Sequence, residues 1–264
     1  MNIFLRELKA NLKSLLIWAV IVVLFVLVAT AKFSAYFENP EMLAVLDAMP
    51  PAMMAAFSFQ AFNLTTITGF LGIMFVYYAL ALGIAAAMWG SDIISKEERD
   101  KTVEFSLTLP VSRSRVVTAK TLAALVNCVA LLLLTWGAAV VSARPYNPDS
   151  GFYKFLLLCV AALFFIELIF LAIGILLGCA MKQYRRAGSL AVSILLVTYF
   201  LSVIAAINKD LDFLKWFTPF KYFDPLKMLN ESRLDLAFVG LSLAIIVACM
   251  AGAYLTYHRR DLYI

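Results

Sequence analysis

The residues DIISKEERDKTVEFSLTLPVSRSRVVTAK, Asp92–Lys120, form a charged island between two long apolar runs. Eleven of the chain's 39 acidic and basic residues fall in these 29 positions. Upstream, no charge interrupts Ala48–Ser91, and downstream none interrupts Thr121–Ala143. Two greasy stretches joined by a short charged loop describe a pair of membrane-spanning helices with a surface segment between them. A membrane protein that gathers its charge in one loop is presenting that loop to a partner.

Working outward, the whole chain reads the same way. Of 264 residues, 64% are hydrophobic and 15% charged, far from the balance of a soluble domain. A span needs about 20 apolar residues at roughly 1.5 Å each to cross about 30 Å of hydrocarbon. Six apolar runs qualify: Leu15–Ala31, Leu64–Gly90, Thr121–Ala143, Phe155–Met181, Ala187–Asn208 and Leu236–Tyr257. With their flanks they predict spans over 15–36, 64–91, 116–143, 154–181, 187–208 and 235–257, all in one transmembrane domain covering 1–264. The expected fold is therefore an all-α integral membrane protein. Five of the runs carry no charge, and the fourth carries only Glu167. No small-residue cleavage site follows the first run before Lys32-Phe33, so it reads as a retained span.

Lys and Arg set the expected orientation. With six spans both termini share a side, and that side holds fourteen of the 22 cations, the other eight facing nine carboxylates. Both termini are expected in the cytoplasm, in an inner (plasma) membrane. The net charge of +5 then suits an anionic lipid surface and does not call for nucleic acid. Cys128, Cys159, Cys179 and Cys249 all fall within spans and read as small packing residues, with no CxxC pair to suggest a disulfide or zinc site.

Beside the spans, several shorter elements are predicted. In MNIFLRELKANLKS, apolar Ile3, Leu5, Leu8 and Leu12 alternate with Arg6, Lys9 and Lys13 at helical spacing, as in an amphipathic helix lying in the interface. Phe33–Asn63 is broken by Pro40, Pro50 and Pro51 and predicts short external helices before span two. Lys209–Asp235 carries Trp216, Phe217, Phe220, Tyr222 and Phe223 with Pro219 and Pro225, and predicts broken external helices before span six. In the charged loop, Val103, Phe105, Leu107 and Leu109 alternate as in a strand, but Ser95 and Glu98 match a capping box and KEERDK favours helix. A single strand has no partner at a membrane surface, so a cytoplasmic helix is expected over Ser95–Leu109. Pro110 ends it, and Ser112 can cap the helix entering span three. Gly174 and Gly178 form a GxxxG pair suited to close helix contact.

Catalytic chemistry is nearly absent. The one histidine is His258, and there is no GxSxG elbow and no GxxxxGK[ST] loop, so the chain lacks a Walker site for ATP. Glu167 is the one ionisable residue near the centre of a span. It reads either as polar glue to a neighbouring helix, as lining of a translocation path, or as a proton-coupling group.

Three segments resemble the membrane subunit of type-2 ATP-binding-cassette (ABC) exporters, the permeases encoded apart from their ATPase. The loop is similar to the family's charged loop after span two, with Glu98, Thr102, Glu104, Leu107, Leu109, Pro110, Val111, Ser112, Arg113 and Lys120 in matching order. Asp100-Lys101 stands where a glycine often precedes the threonine. Phe217–Leu229, FTPFKYFDPLKML, is similar to the aromatic and proline-rich segment before the last span, and His258–Leu262, HRRDL, to the basic ending. The resemblance implies a coupling helix docked in a cleft of a cytoplasmic ATPase, two ATPases with two permeases (identical or homologous), and ATP and Mg bound by the ATPase, with no cofactor in this chain. It makes Ser95, Glu97, Glu98, Thr102, Glu104, Phe105, Leu107, Leu109, Pro110 and Arg113 the expected coupling residues. A secondary transporter or channel would want paired intramembrane charges or internal repeats, and a membrane enzyme would want a catalytic set; neither appears.

Overall fold

The computed structural model describes residues 3–37, 39, 41, 48, 50, 53–54, 62–99, 111–181 and 183–259, with backbone alone at 97–99, 184–185 and 209. The described residues form helices and turns without a strand. Six long helices dominate: α1 (Ile3–Phe33), α2 (Ile67–Arg99), α3 (Arg113–Ala143), α4 (Ser150–Ala180), α5 (Tyr184–Ile207) and, after a short α6 (Pro225–Glu231), α7 (Leu236–Arg259). Each of the six is long and apolar enough to cross a membrane. All eight prolines fall outside them, as expected where an interior proline would remove a backbone bond. A helix of 31 residues reaches about 46 Å, more than the hydrocarbon thickness of about 30 Å, so the helix ends stand clear of it.

Local chemistry sets the boundaries. Ser112 caps α3, its side chain accepting from the Arg115 N–H, and Asp149 caps α4 by accepting from the Phe152 N–H. The turn between these helices contains Pro145 and Asn147, the latter left-handed at φ 47°, a conformation asparagine tolerates better than most side chains.

The core is the crossing of α2 and α4. A Cβ built on Gly174 would lie 2.5 Å from the Ala87 carbonyl oxygen, and one on Gly90 would strike the backbone of Leu171. Only glycine lets these backbones come so close. A Cβ on Gly178 would sit 2.9 Å from the Ser91 carbonyl oxygen, so the GxxxG pair is the contact surface its spacing suggested. The outer helices differ: Leu16, Val20, Leu24 and Val28 of α1, and Val197, Phe200 and Ile204 of α5, are exposed, as apolar surface facing lipid or another chain must be.

The bundle has a termini-bearing end and a distal end. At the distal end Phe33 packs its ring against Phe37, Phe70 and Tyr146. Between α5 and α7 the expected broken segment is present as 3₁₀ turns over Lys209–Phe217 and Pro219–Lys221, followed by α6. Most of the segment before α2 lies outside the described residues.

Two sequence expectations need correction. The capping box at Ser95 and Glu98 does not exist, because α2 continues unbroken through both positions to Arg99. Ser95 is buried in mid-helix and its hydroxyl donates to the Ser91 carbonyl. The residues SDIISKEER are good enough helix formers to carry the span onward past its apolar portion. The N-terminal segment is helical as expected but is no separate interfacial element, since α1 runs through residues 3–33 without a break. Leu5 and Leu12 face outward with Lys9 and Lys13, whereas Glu7 and Asn11 are buried against the bundle beside the partly buried Phe4 and Leu8. Beside lipid, the apolar face belongs outside and the polar stripe must be satisfied within the protein.

Candidate coupling site

The termini-bearing end gathers the start of α1, the end of α2, the start of α3 and the end of α7. Thr102, Glu104, Phe105, Leu107, Leu109 and Pro110 lie outside the described residues, and Glu97 and Glu98 are placed by backbone alone in the last turn of α2. The described residues show how the two ends of that loop are anchored.

The first anchor is a buried ionic cluster. Glu7 on α1 is 1% exposed and pairs with Lys96 on α2. Lys120 on α3, also 1% exposed, holds its Nζ 3.9 Å from the same carboxylate and donates to the Ile93 carbonyl of α2 at 2.8 Å. One carboxylate thus ties three helices together, through a lysine three residues before the end of α2 at Arg99 and another eight residues after Ser112. Taking such charges out of water costs several kcal/mol per ion unless the partners satisfy one another, so each member requires the others. Higher up α1, Ser14 accepts a 2.9 Å bond from the Trp89 indole. Glu7, Asn11 and Ser14 therefore form one polar stripe facing the protein at i, i+4 and i+7.

The second anchor is Arg113, the first residue of α3. Its guanidinium donates to the carbonyls of Tyr257 and His258, at 3.3 and 3.1 Å, in the last turn of α7. Helix C-termini leave carbonyls without intrahelical donors, and a cation there also complements the helix dipole. One turn on, the Thr118 hydroxyl meets the Tyr254 hydroxyl at 2.7 Å. Of the expected coupling residues, the structure places Arg113 at the start of α3, bonded to the end of α7, and Ser95 inside α2.

Sequence reasoning missed Glu7, Lys96 and Lys120 as a unit. It read the two lysines as surface cations and Glu7 as part of an interfacial helix. The available signal was the polar stripe at helical spacing within an otherwise apolar and basic α1.

Glu167 stands apart from this end. It is 0% exposed, in the middle of α4. Among the described residues neither of its oxygens has a hydrogen-bond donor, and the Asn127 side-chain nitrogen on α3 is likewise buried without an acceptor. Cys128, on the same turn of α3, lies within electrostatic reach of the carboxyl. The hydrogen bond that would make Glu167 glue between helices is not formed among these residues. No cluster of metal-ligating side chains occurs among the described residues.

A family model described as "ABC-2 family transporter protein" matches residues 1–262. No curated protein matches the chain.

Proposed function

Because the chain belongs to the ABC-2 family of transporter proteins, we propose that it is the permease subunit of an ATP-driven exporter, worked through the loop that joins α2 to α3. Membership makes it a multi-pass membrane component of an ABC transporter, and the family implies an ABC ATPase as partner. The proposal adds that this ATPase is a separate cytoplasmic chain and that two ATPases serve two permeases, the second an identical or homologous copy. It also places both termini in the cytoplasm, in the inner (plasma) membrane, and the ATP and Mg on the ATPase.

The observation that carries this reading is the anchoring of the loop at both ends. Before the loop stands α2, the most enclosed of the long helices, whose Gly90 is pressed against α4. After it stands α3, fixed to α7 by Arg113 and to α1 and α2 by Lys120. A load that reaches the end of α2 or the start of α3 is passed on through these anchors, and through the glycine crossing it reaches α4. Close-packed interiors transmit displacement in this way because they deform little.

In this scheme Glu97, Glu98 and Glu104 offer charge to a basic ATPase surface, and Phe105, Leu107 and Leu109 offer apolar contact. Glu167, at the middle of the bundle, is assigned to the translocation path. Replacing Glu98 and Glu104 by lysine tests the scheme: co-purification of the ATPase should fall, or ATP hydrolysis should cease to depend on the permease. Unchanged assembly and unchanged permease-dependent hydrolysis would remove the loop from its assigned role.

A further inference from the structure

The centre of the bundle carries one carboxyl and no cation to match it. Across the six apolar runs of the sequence, Glu167 is the one Asp, Glu, Lys, Arg or His residue. It is fully enclosed, and no donor reaches either of its oxygens among the described residues. On the neighbouring α3, Asn127 is also buried and keeps an amide N–H without an acceptor. Two unmatched polar groups on adjoining helices that do not take one another are not a tie between those helices. Buried charges in proteins are ordinarily paired, and inside a membrane an unpaired one marks a pathway or the counter-ion of a ligand.

The surroundings of Glu167 are aromatic. Phe164 and Phe170 adjoin it along α4, three residues to either side, where helix neighbours meet. The Phe170 ring meets Phe220 at 5.5 Å, and Phe220 meets Tyr199 of α5 at 5.6 Å. Phe220 is held at this depth by Thr218, which is fully buried and donates to the Thr198 carbonyl of α5. That carbonyl lies nine residues before the distal end of α5 at Ile207. Phe220 and Tyr199 in turn line a cavity of about 300 Å³ between α2 and α5. Lys221, the cation next to Phe220 in the chain, lines that cavity together with Asp224 and forms no ion pair with Glu167.

A carboxyl among aromatic rings suits one kind of cargo. An ammonium ion is attracted by ring faces as well as by a carboxylate. An anionic cargo passing this point would meet a negative group with nothing to offset it, and a neutral apolar cargo would gain nothing from it. A cationic cargo supplies the partner that the bundle itself withholds.

We propose that the exported cargo is a lipophilic amine, its ammonium group on Glu167 and its apolar body against the rings of Phe164, Phe170 and Phe220. This cargo class rests on Glu167 lying in the translocation path, and goes beyond it in naming what the path selects. The carboxyl is enclosed in the present state, so the amine enters when Phe170 and Phe220 move apart.

The test measures binding alone, so that selection at Glu167 and coupling at the loop can fail separately. Three dansyl sulfonamides with the same alkyl chain, ending in a primary amine, a hydroxyl or a carboxylate, are titrated by fluorescence. The full-length permease is held in phosphatidylcholine nanodiscs, and empty nanodiscs correct for partition into lipid. Titrations are made on the permease alone and on its co-purified ATPase complex with ADP or a non-hydrolysable ATP analogue. If no ATPase co-purifies, the coupling reading falls, whereas the result on the permease alone still decides the cargo class. The amine should bind about ten- to a hundredfold tighter than the alcohol, the worth of a hydrogen bond to a charged group, and the carboxylate should bind weakest. Glu167→Gln should bring the amine down to the affinity of the alcohol, and Glu167→Asp should keep the preference. Equal binding of the three probes by wild type would overturn the proposal, as would saturable binding of none in any state or a preference that survives in Glu167→Gln. If Glu167→Gln fails to fold, labelling of wild type by dicyclohexylcarbodiimide decides: the amine should protect Glu167 at concentrations where the alcohol does not, and equal labelling with either probe would overturn the proposal.

Discussion

Among the described residues two carboxylates, Glu7 and Glu167, are buried in this bundle, and they are treated in opposite ways. Glu7, at the termini-bearing end, is met by Lys96 and Lys120 from two other helices. Glu167, in the middle of α4, has no hydrogen-bond donor among the described residues. A buried charge that is fully partnered is a structural tie, and losing one partner strands the others. A buried polar group left without a partner costs stability, and such costs are retained where a site has a use for the group. The contrast teaches that the loop end of the bundle is built for rigidity, whereas the centre holds a polar group in reserve.

The comparison breaks first at Glu7. Glu7→Leu should destabilise the protein by about 3–5 kcal/mol, because it leaves two lysines in a buried site. Thermal unfolding in detergent would show this as a large fall in midpoint. Adding Lys96→Met to Glu7→Leu should recover part of the loss; a double variant as unstable as the single one would argue that the pair is not the tie.

Glu167 should respond with the opposite sign and a smaller size. Glu167→Leu removes an unsatisfied group and should leave stability unchanged or raise it by about 1–2 kcal/mol. Transport should fall in the same variant if the carboxyl lines the path. A strong loss of stability in Glu167→Leu, with Glu167→Gln behaving as wild type, would mean that the group is glue after all and would erase the contrast.

The smallest effect is expected along α1. Ser14→Ala removes the acceptor of the Trp89 indole and should cost about 1 kcal/mol. A loss as great as that at Glu7 would show that the polar stripe acts as one cooperative network and that the ionic cluster is not its dominant part.

Much of the fold was legible in the sequence because spanning helices announce themselves by length and continuous apolarity, and lipid permits few alternatives. The six spans, the Ser112 cap, the glycine crossing and the broken distal segment all follow from local signals. The anchoring of the loop was not legible, for two physical reasons. Lys96 and Lys120 look like any surface cations in a charged loop; only the tertiary arrangement encloses them. Ser95 with Glu98 satisfies the residue pattern of a capping box, yet a cap also needs a non-helical backbone, and α2 supplies none there. For α1, the helix was legible from its spacing but the buried stripe of Glu7 and Asn11 was not, since spacing does not reveal which face meets protein.

The central claim is that the segment between α2 and α3 receives the ATPase. Cysteine cross-linking tests it without knowledge of the exported substrate. In a permease whose four cysteines, Cys128, Cys159, Cys179 and Cys249, have been replaced by alanine or serine, single cysteines are placed at Glu98, at Glu104 and, as a distal control, at Asn208. The co-purified complex is then treated with a short thiol-to-amine cross-linker. The account predicts ATPase adducts from positions 98 and 104, weakened when ATP is bound and hydrolysed, and none from position 208. Adducts from position 208, or intact complexes that give none from 98 and 104, would contradict it.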